Sequence, residues 1–155
     1  MVTSNTDTPW ERVQSFLNTA SSYPENSSWD VSCMKAIKLV KVEPGTVEFE
    51  FTVTENMCNP LGILHGGCTT TILDVLTSTA AFSLPDNDLA LGTLSRTLTM
   101  TFLRPVPVDT TVRVVVHLVA AGRKFVNFTG NLLTLDGKVC ASCVHDKAVF
   151  RPAKL

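Results

Sequence analysis

Residues 59–84 read NPLGILHGGCTTTILDVLTSTAAFSL. The stretch opens as a turn, because Asn59 precedes Pro60 and is biased away from the helical region. It passes through His65-Gly66-Gly67 and continues as an apolar segment that predicts a helix near 66–83. Ile72, Leu73, Leu76 and Ala80 recur at helical spacing and form its apolar side. Asp74 is its one acid. Three and four residues away lie Thr70, Thr71, Thr77 and Ser78, so the acid sits at the centre of a hydroxyl stripe. A solvated helix face usually carries Lys, Glu or Arg, and this one carries none. The stripe reads either as a solvated face or as a close-packed or ligand-lined one.

Around this helix the pattern is β. Upstream, KAIKLVKV leads through the EPGT turn into TVEFEFTVT, residues 46–54. There Val47, Phe49, Phe51 and Val53 alternate with Glu48, Glu50, Thr52 and Thr54, the period-2 mark of a half-buried antiparallel strand. Downstream, DNDL is a loop, and four further strands follow in LGTLSRTLTMTFLRPV, TTVRVVVHLVAA, KFVNFTGNLLTL and KVCASCVHDKAVF. Ala121-Gly122 and Asp136-Gly137 mark hairpins between them, the second being the stronger signal. The order β-β-α-β-β-β-β leaves one apolar helix to serve five or six long strands. The economical α+β arrangement is a curved antiparallel sheet wrapped around one long central helix. Residues 1–32 are polar and read as an N-terminal extension. It holds one short helix, with Trp10, Val13, Phe16 and Leu17 at helical spacing, and then the loop SSYPENSSWD. The main domain spans 33–155.

At 155 residues the chain suits one domain. It is 45% hydrophobic and only 17% charged, apolar enough that part of its surface should be buried against other copies. A net charge of -1 offers no basic field for nucleic acid. No apolar run reaches the ~18–20 residues of a membrane span. The N-terminus lacks the pattern of a secretory signal and is a poor transit peptide. The expected compartment is intracellular, cytoplasmic or mitochondrial. Five cysteines are an odd count with no disulfide framework. Cys140 and Cys143 form a CxxC on a strand, where positions i and i+3 face opposite ways. No second half completes a ligand set, so they read as small buried thiols and no metal is expected. The sequons at Asn26 and Asn127 read as incidental.

Several residues invite chemistry, each with a plain alternative. Gly66 and Gly67 at a helix start let backbone approach a ligand, and the unpaired N–H groups there can hold a developing oxyanion. The pair could equally serve a turn that needs positive φ. His65 could be a base or a metal ligand, or a ring that fixes the turn. Asn59 could donate to a carbonyl or form an Asx turn. Ser95 is one of many strand hydroxyls.

Taken together these residues are more specific. Asn59-x-x-Gly62-x-x-His65-Gly66-Gly67, followed by Asp74 on the helix, resembles the signature of the hotdog-fold acyl-CoA thioesterases. The nearest likeness is to the PaaI and thioesterase superfamily member 2 (acyl-CoA thioesterase 13) group. It extends over roughly residues 34–150 and takes in the PGT turn, TFLRP, the GRK hairpin and the DGK hairpin. The resemblance implies hydrolysis of acyl-CoA to acid and CoA, in fatty acid metabolism, without metal or cofactor. It implies homodimers that pair into homotetramers. Asp74 would activate water or attack the carbonyl, and the Gly66 N–H would polarise the thioester oxygen. Asn59, His65 and Ser95 would support, position or bind. Gly67, Arg104, Arg123 and Lys124 are candidates for holding substrate, the cations toward CoA phosphates. Cys68, Thr70 and Thr71 depart from the leucine and small residues commoner in the family, which bears on acyl-chain preference. A hotdog dehydratase or hydratase is an alternative, though His65 with Asp74 does not fit its arrangement well. A non-catalytic acyl-CoA-binding module is another.

Geometry adds a condition of its own. Asp74 lies eight residues beyond Gly66, roughly 12 Å along a helix at 1.5 Å per residue. A base and an oxyanion donor must both reach one thioester, about 3 Å away. One chain cannot supply both. A two-fold dimer can, with Gly66 of one subunit facing Asp74 of the other.

Overall fold

The computed structural model describes residues 7–24, 29–84 and 92–150. Six strands form one antiparallel sheet in the order β1-β2-β4-β5-β6-β3. They are β1 (Lys38–Glu43), β2 (Thr46–Thr52), β3 (Thr93–Phe102), β4 (Thr111–Ala121), β5 (Phe125–Thr134) and β6 (Val139–Val149). The long helix is α3 (Gly66–Thr77). It runs on through Ser78, which keeps right-handed helical geometry, into α4 (Thr79–Phe82). The helix packs on β3, β4, β5 and β6, so the sheet wraps it. The expected architecture is the observed one.

Local chemistry explains the elements. On β2 the residues read as inward, Val47, Phe49, Phe51 and Val53, are all buried. Gly45 turns the chain from β1 into β2 at φ 76°, a conformation glycine adopts without a Cβ penalty. Ile72, Leu73, Leu76 and Ala80 on the helix are at most 1% exposed and fill the core against the sheet. Opposite them Gly130 on β5 permits a close approach. A Cβ there would lie 3.0 Å from both Leu73 Cδ2 and Cys143 Sγ, and 3.1 Å from Thr77 Cγ2. Cys140 and Cys143 are free, buried thiols, as read from sequence. The strand is not regular there: Cys140 is the extra residue of a bulge between the pairs Leu132–Ala141 and Leu133–Val139.

At the N-terminus α1 (Pro9–Ser22) begins with a capping box, Thr8 and Glu11 bonding reciprocally, and Pro9 in its first turn. Val13 and Leu17 join the main core, and Phe16 meets Phe82 at 5.4 Å between ring centroids. Arg12 donates to the carbonyls of Phe82 and Leu84 at 2.8 and 2.9 Å. A second short helix, α2 (Val31–Met34), was not anticipated and straddles the division at 32/33. No helix among the described residues is long and apolar enough to cross a membrane. Asn127 donates to Asp146 Oδ2 at 2.7 Å from within β5. Asn26 and the DNDL loop lie outside the described residues.

Candidate active site

Asp74 does not face water alone. Ser95 on β3 donates its hydroxyl to Asp74 Oδ1 at 2.8 Å. His145 on β6 sets Nε2 3.0 Å from Ser95 Oγ and 3.3 Å from Asp74 Oδ1. Its Nδ1 is 2.8 Å from Thr77 Oγ1. Lys147 on the same strand reaches Ser78 Oγ at 2.5 Å and the Asp74 carbonyl at 3.3 Å, with Asp74 Oδ1 at 3.5 Å. The His145 and Lys147 side chains are 0% and 7% exposed, while the Asp74 side chain remains 42% exposed. One side of the carboxylate is thus built into the protein and the other can meet water.

A backbone irregularity makes this possible. β3 and β6 pair with a register shift between Ser95 and Thr97, which leaves Arg96 as a bulge. Ser95 then pairs opposite the buried Lys147 and shares its inner face. Arg96 is turned outward, where it pairs with Asp146 at 2.8 Å and stacks on Phe125 at 4.1 Å. Without the bulge, strict alternation would exchange the two side chains.

Electrostatics follow from burial. Burial pushes the His145 imidazolium down to about 4; the nearby Lys147 ammonium adds to this, and Asp74 and Asp146 oppose it. The ring is therefore neutral at ordinary pH. Burial also lowers Lys147 from its usual range, with Asp74 pulling it back. Sequence reasoning missed both residues. The signal was present: Ala141, Cys143, His145 and Lys147 share one face of β6, and a His and a Lys on an apolar face call for partners.

The other end of α3 is different. His65 is its N-cap, and the ring Nδ1 accepts the Gly67 N–H at 2.9 Å. Neither Gly66 nor Gly67 has positive φ, so the turn reading of the pair fails. Gly67 is small for another reason, since a Cβ there would press on His65 Nδ1 at 3.0 Å. The Gly66 N–H takes no backbone acceptor among the described residues. Asn59 closes the preceding loop, its Oδ1 accepting from Leu61 and Ile63 N–H at 2.9 and 3.3 Å.

Two hollows flank Gly66. One of about 360 Å3 is lined by Gly66, Phe102, Leu103, Val106 and Leu132. A larger groove of about 1160 Å3 runs past Trp29, Cys33, Met57, His65, Gly67 and Thr71. In its wall Cys68 donates to Cys33 across 3.4 Å, which brings the Cys33 thiol down to about 7.

The remaining candidates are spread out. Arg104 follows β3, near Gly66, and its guanidinium donates to the Val139 carbonyl. Arg123 and Lys124 occupy the β4–β5 hairpin, beside the start of β3, where the Lys124 carbonyl accepts from Val149. Within one chain these cations lie at opposite ends of the sheet. No cluster of metal-binding side chains occurs among the described residues.

Comparison with known proteins gives the chain a family and its fold a set of relatives. The model of the thioesterase superfamily matches residues 61–141. Acyl-coenzyme A thioesterase 13 of Homo sapiens is 30% identical over 113 residues, covering 72% of this chain and 78% of the relative. The crystal structure of zebra fish thioesterase superfamily member 2 superposes with a TM-score of 0.81 at 20% identity, covering 94% of this chain and 100% of that one. A hypothetical thioesterase from Streptococcus pneumoniae, crystallised with coenzyme A, superposes at 0.73 with 16% identity, covering 88% and 96%.

Proposed function

The chain belongs to the thioesterase superfamily, and from that membership we propose that it hydrolyses acyl-CoA thioesters at sites shared between two subunits. Asp74 with Ser95 orients and deprotonates a water. The Gly66 N–H, at the positive end of α3, polarises the thioester carbonyl from the other subunit. CoA leaves as the thiol.

The observation that carries this reading is the state of Asp74. Oδ1 receives Ser95 and is approached by His145 and Lys147, while Oδ2 has no hydrogen-bond partner among the described residues. A half-exposed carboxylate with one oxygen tethered and one open suits a general base. The CoA-bound pneumococcal relative and the acyl-coenzyme A thioesterase 13 relatives support the substrate class.

β3 supports the shared site. It is an edge strand of ten residues, with Leu94 and Phe102 exposed at 61% and 56%. An unpaired edge of this length invites another strand. Ser95, beside Asp74, lies near its start, and Phe102, against Gly66, near its end. Two-fold antiparallel pairing of β3 with its copy would set the Asp74 end of one subunit against the Gly66 end of the other. The same pairing would carry Arg104 toward Arg123 and Lys124 of the partner subunit, gathering cations for the CoA phosphates. His65 and Asn59 would hold the oxyanion turn in shape, and Gly67 would keep it close to substrate.

The test is thiol release from a panel of acyl-CoAs by wild type and Asp74→Ala. Release by wild type that falls about 1000-fold on substitution supports the reading. Tight binding of acyl-CoA with no turnover would mark a binding module instead, and water addition to an enoyl-CoA a hydratase.

A further inference from the structure

We propose that His145, with Thr77 behind it and Lys147 beside it, is a positioning unit that dictates which oxygen of Asp74 meets water. The proposal rests on the hydrolytic reading above and deepens it.

The hydrogen bonds leave little choice of proton positions. Ser95 has one hydroxyl proton, and it goes to Asp74 Oδ1 at 2.8 Å. Ser95 Oγ can then only accept from His145 Nε2, 3.0 Å away. The ring must carry its proton on Nε2, and Nδ1 must accept from Thr77 Oγ1 at 2.8 Å. Every proton in this chain points toward Asp74. Lys147, held by Ser78 and by the Asp74 carbonyl, adds a cation 3.5 Å from the same Oδ1. The Ser95 hydroxyl and the Lys147 ammonium converge on one oxygen, with the His145 ring closing the space beside it, which fixes the carboxylate plane and leaves Oδ2 on the open side.

The titratable groups facing the ring are Asp74 from α3 and Asp146 and Lys147 from β6; β3 pairs Leu98 with His145 and brings Ser95 to its Nε2, and β5 pairs Phe128 with it. Burial keeps the ring uncharged throughout the neutral range. A neutral ring orients Ser95 without competing for the proton that Asp74 must take. Burying a His and a Lys side by side is costly unless each is bonded, and in this protein their bonds all end on the acid or on the residues flanking it.

The test compares kcat and KM for wild type, His145→Phe, His145→Gln and Lys147→Met, on an acyl-CoA that wild type turns over. His145→Phe keeps a ring but removes the donor to Ser95, and the Thr77 hydroxyl can turn its proton to the Asp74 carbonyl, 3.1 Å away. It should lower kcat about 10- to 100-fold, the size of leaving a polar group in the site without its hydrogen-bond partner, with KM within about twofold. His145→Gln, whose amide can donate to Ser95, should recover part of the loss. Lys147→Met, which removes the cation beside Oδ1, should lower kcat about 10-fold with KM within about twofold.

A merely structural His145 would lower the melting temperature and leave kcat of the folded enzyme unchanged, which would overturn the proposal. Nitrogen NMR of the wild-type ring reads the tautomer without any turnover or variant. An Nε2-protonated neutral ring at pH 7 supports the proposal, and an Nδ1-protonated or charged ring overturns it. Wild type inert on every acyl-CoA would overturn the hydrolytic reading and this one together. Active wild type with an equally active His145→Phe would overturn this one alone.

Discussion

At Asp74 the helix is finished within its own chain, whereas at Gly66 the same helix is left open. Ser95, His145 and Lys147 all come from the same fold and close around one carboxylate oxygen, with Thr77 behind His145. About twelve ångströms away, as expected for eight helical residues, the Gly66 N–H has no backbone acceptor among the described residues, and Gly66 lines a hollow of about 360 Å3. The difference separates two kinds of work. In the proposed mechanism, folding alone prepares the base. In the same proposal the helix start prepares the oxyanion donor, and what it acts on comes from elsewhere.

Substitutions at the two ends should therefore differ in character. Asp74→Ala and Gly66→Pro are expected to have the largest effects on kcat, about 1000-fold and about 100- to 1000-fold. Gly66→Pro is the cleaner change. Position 66 is the first helical residue, where proline is welcome, and His65 before it is already extended with ψ 134°. A Cβ there meets only the Phe102 ring, at an ordinary 3.5 Å. The variant should keep its melting temperature while losing the N–H, and a large loss of stability would break the contrast.

The closed end should also be visible in stability against pH. His145 takes its proton near 6.5 when unfolded and at about 4 when folded. Between those values the unfolded chain binds more protons, so stability is full above 6.5 and falls as pH drops toward 4. The contribution is about 3 kcal/mol at most. Denaturant titrations from pH 4 to 7 should show this slope in wild type and a flatter one in His145→Phe.

A smaller effect is expected at Gly130, where an added Cβ would push α3 away from β5 beside Thr77. Gly130→Ala should cost about 1–3 kcal/mol in chemical denaturation, and the loss of activity should appear in kcat. The mildest probe is thiol labelling. Cys33, brought down to about 7 in the groove wall, should alkylate at pH 7.5 well before Cys143, which burial pushes up to about 11. Equal rates, read by mass spectrometry of peptides, would contradict the distinction between an open and a closed end.

Much of this was legible in the sequence, for physical reasons. β2 could be read because its inner and outer residues alternate without a break, and α3 because Ile72, Leu73, Leu76 and Ala80 recur at helical spacing. Asp74 stood out as the one acid in that helix. The four residues of α2, VSCM, are too few to show a period. Ser95 was not separable from other strand hydroxyls, because its inward aim depends on a bulge at Arg96 that alternation does not reveal. His145 and Lys147 were hidden in a similar way. The bulge at Cys140 shifts the phase of β6, so VHDK reads as ordinary polar alternation until Ala141 and Cys143 identify the buried face.

The central claim is that one site takes its base and its oxyanion donor from two chains, and mixing tests it directly. Asp74→Ala and Gly66→Pro, each inactive alone, are unfolded together and refolded so that subunits redistribute at random. Half of the dimers then carry one of each variant, and in each of those one of the two sites is intact. Activity should return to about one quarter of wild type, as two-fold symmetry requires. Heterodimers that form, as seen by native mass spectrometry, and remain inactive would contradict the account.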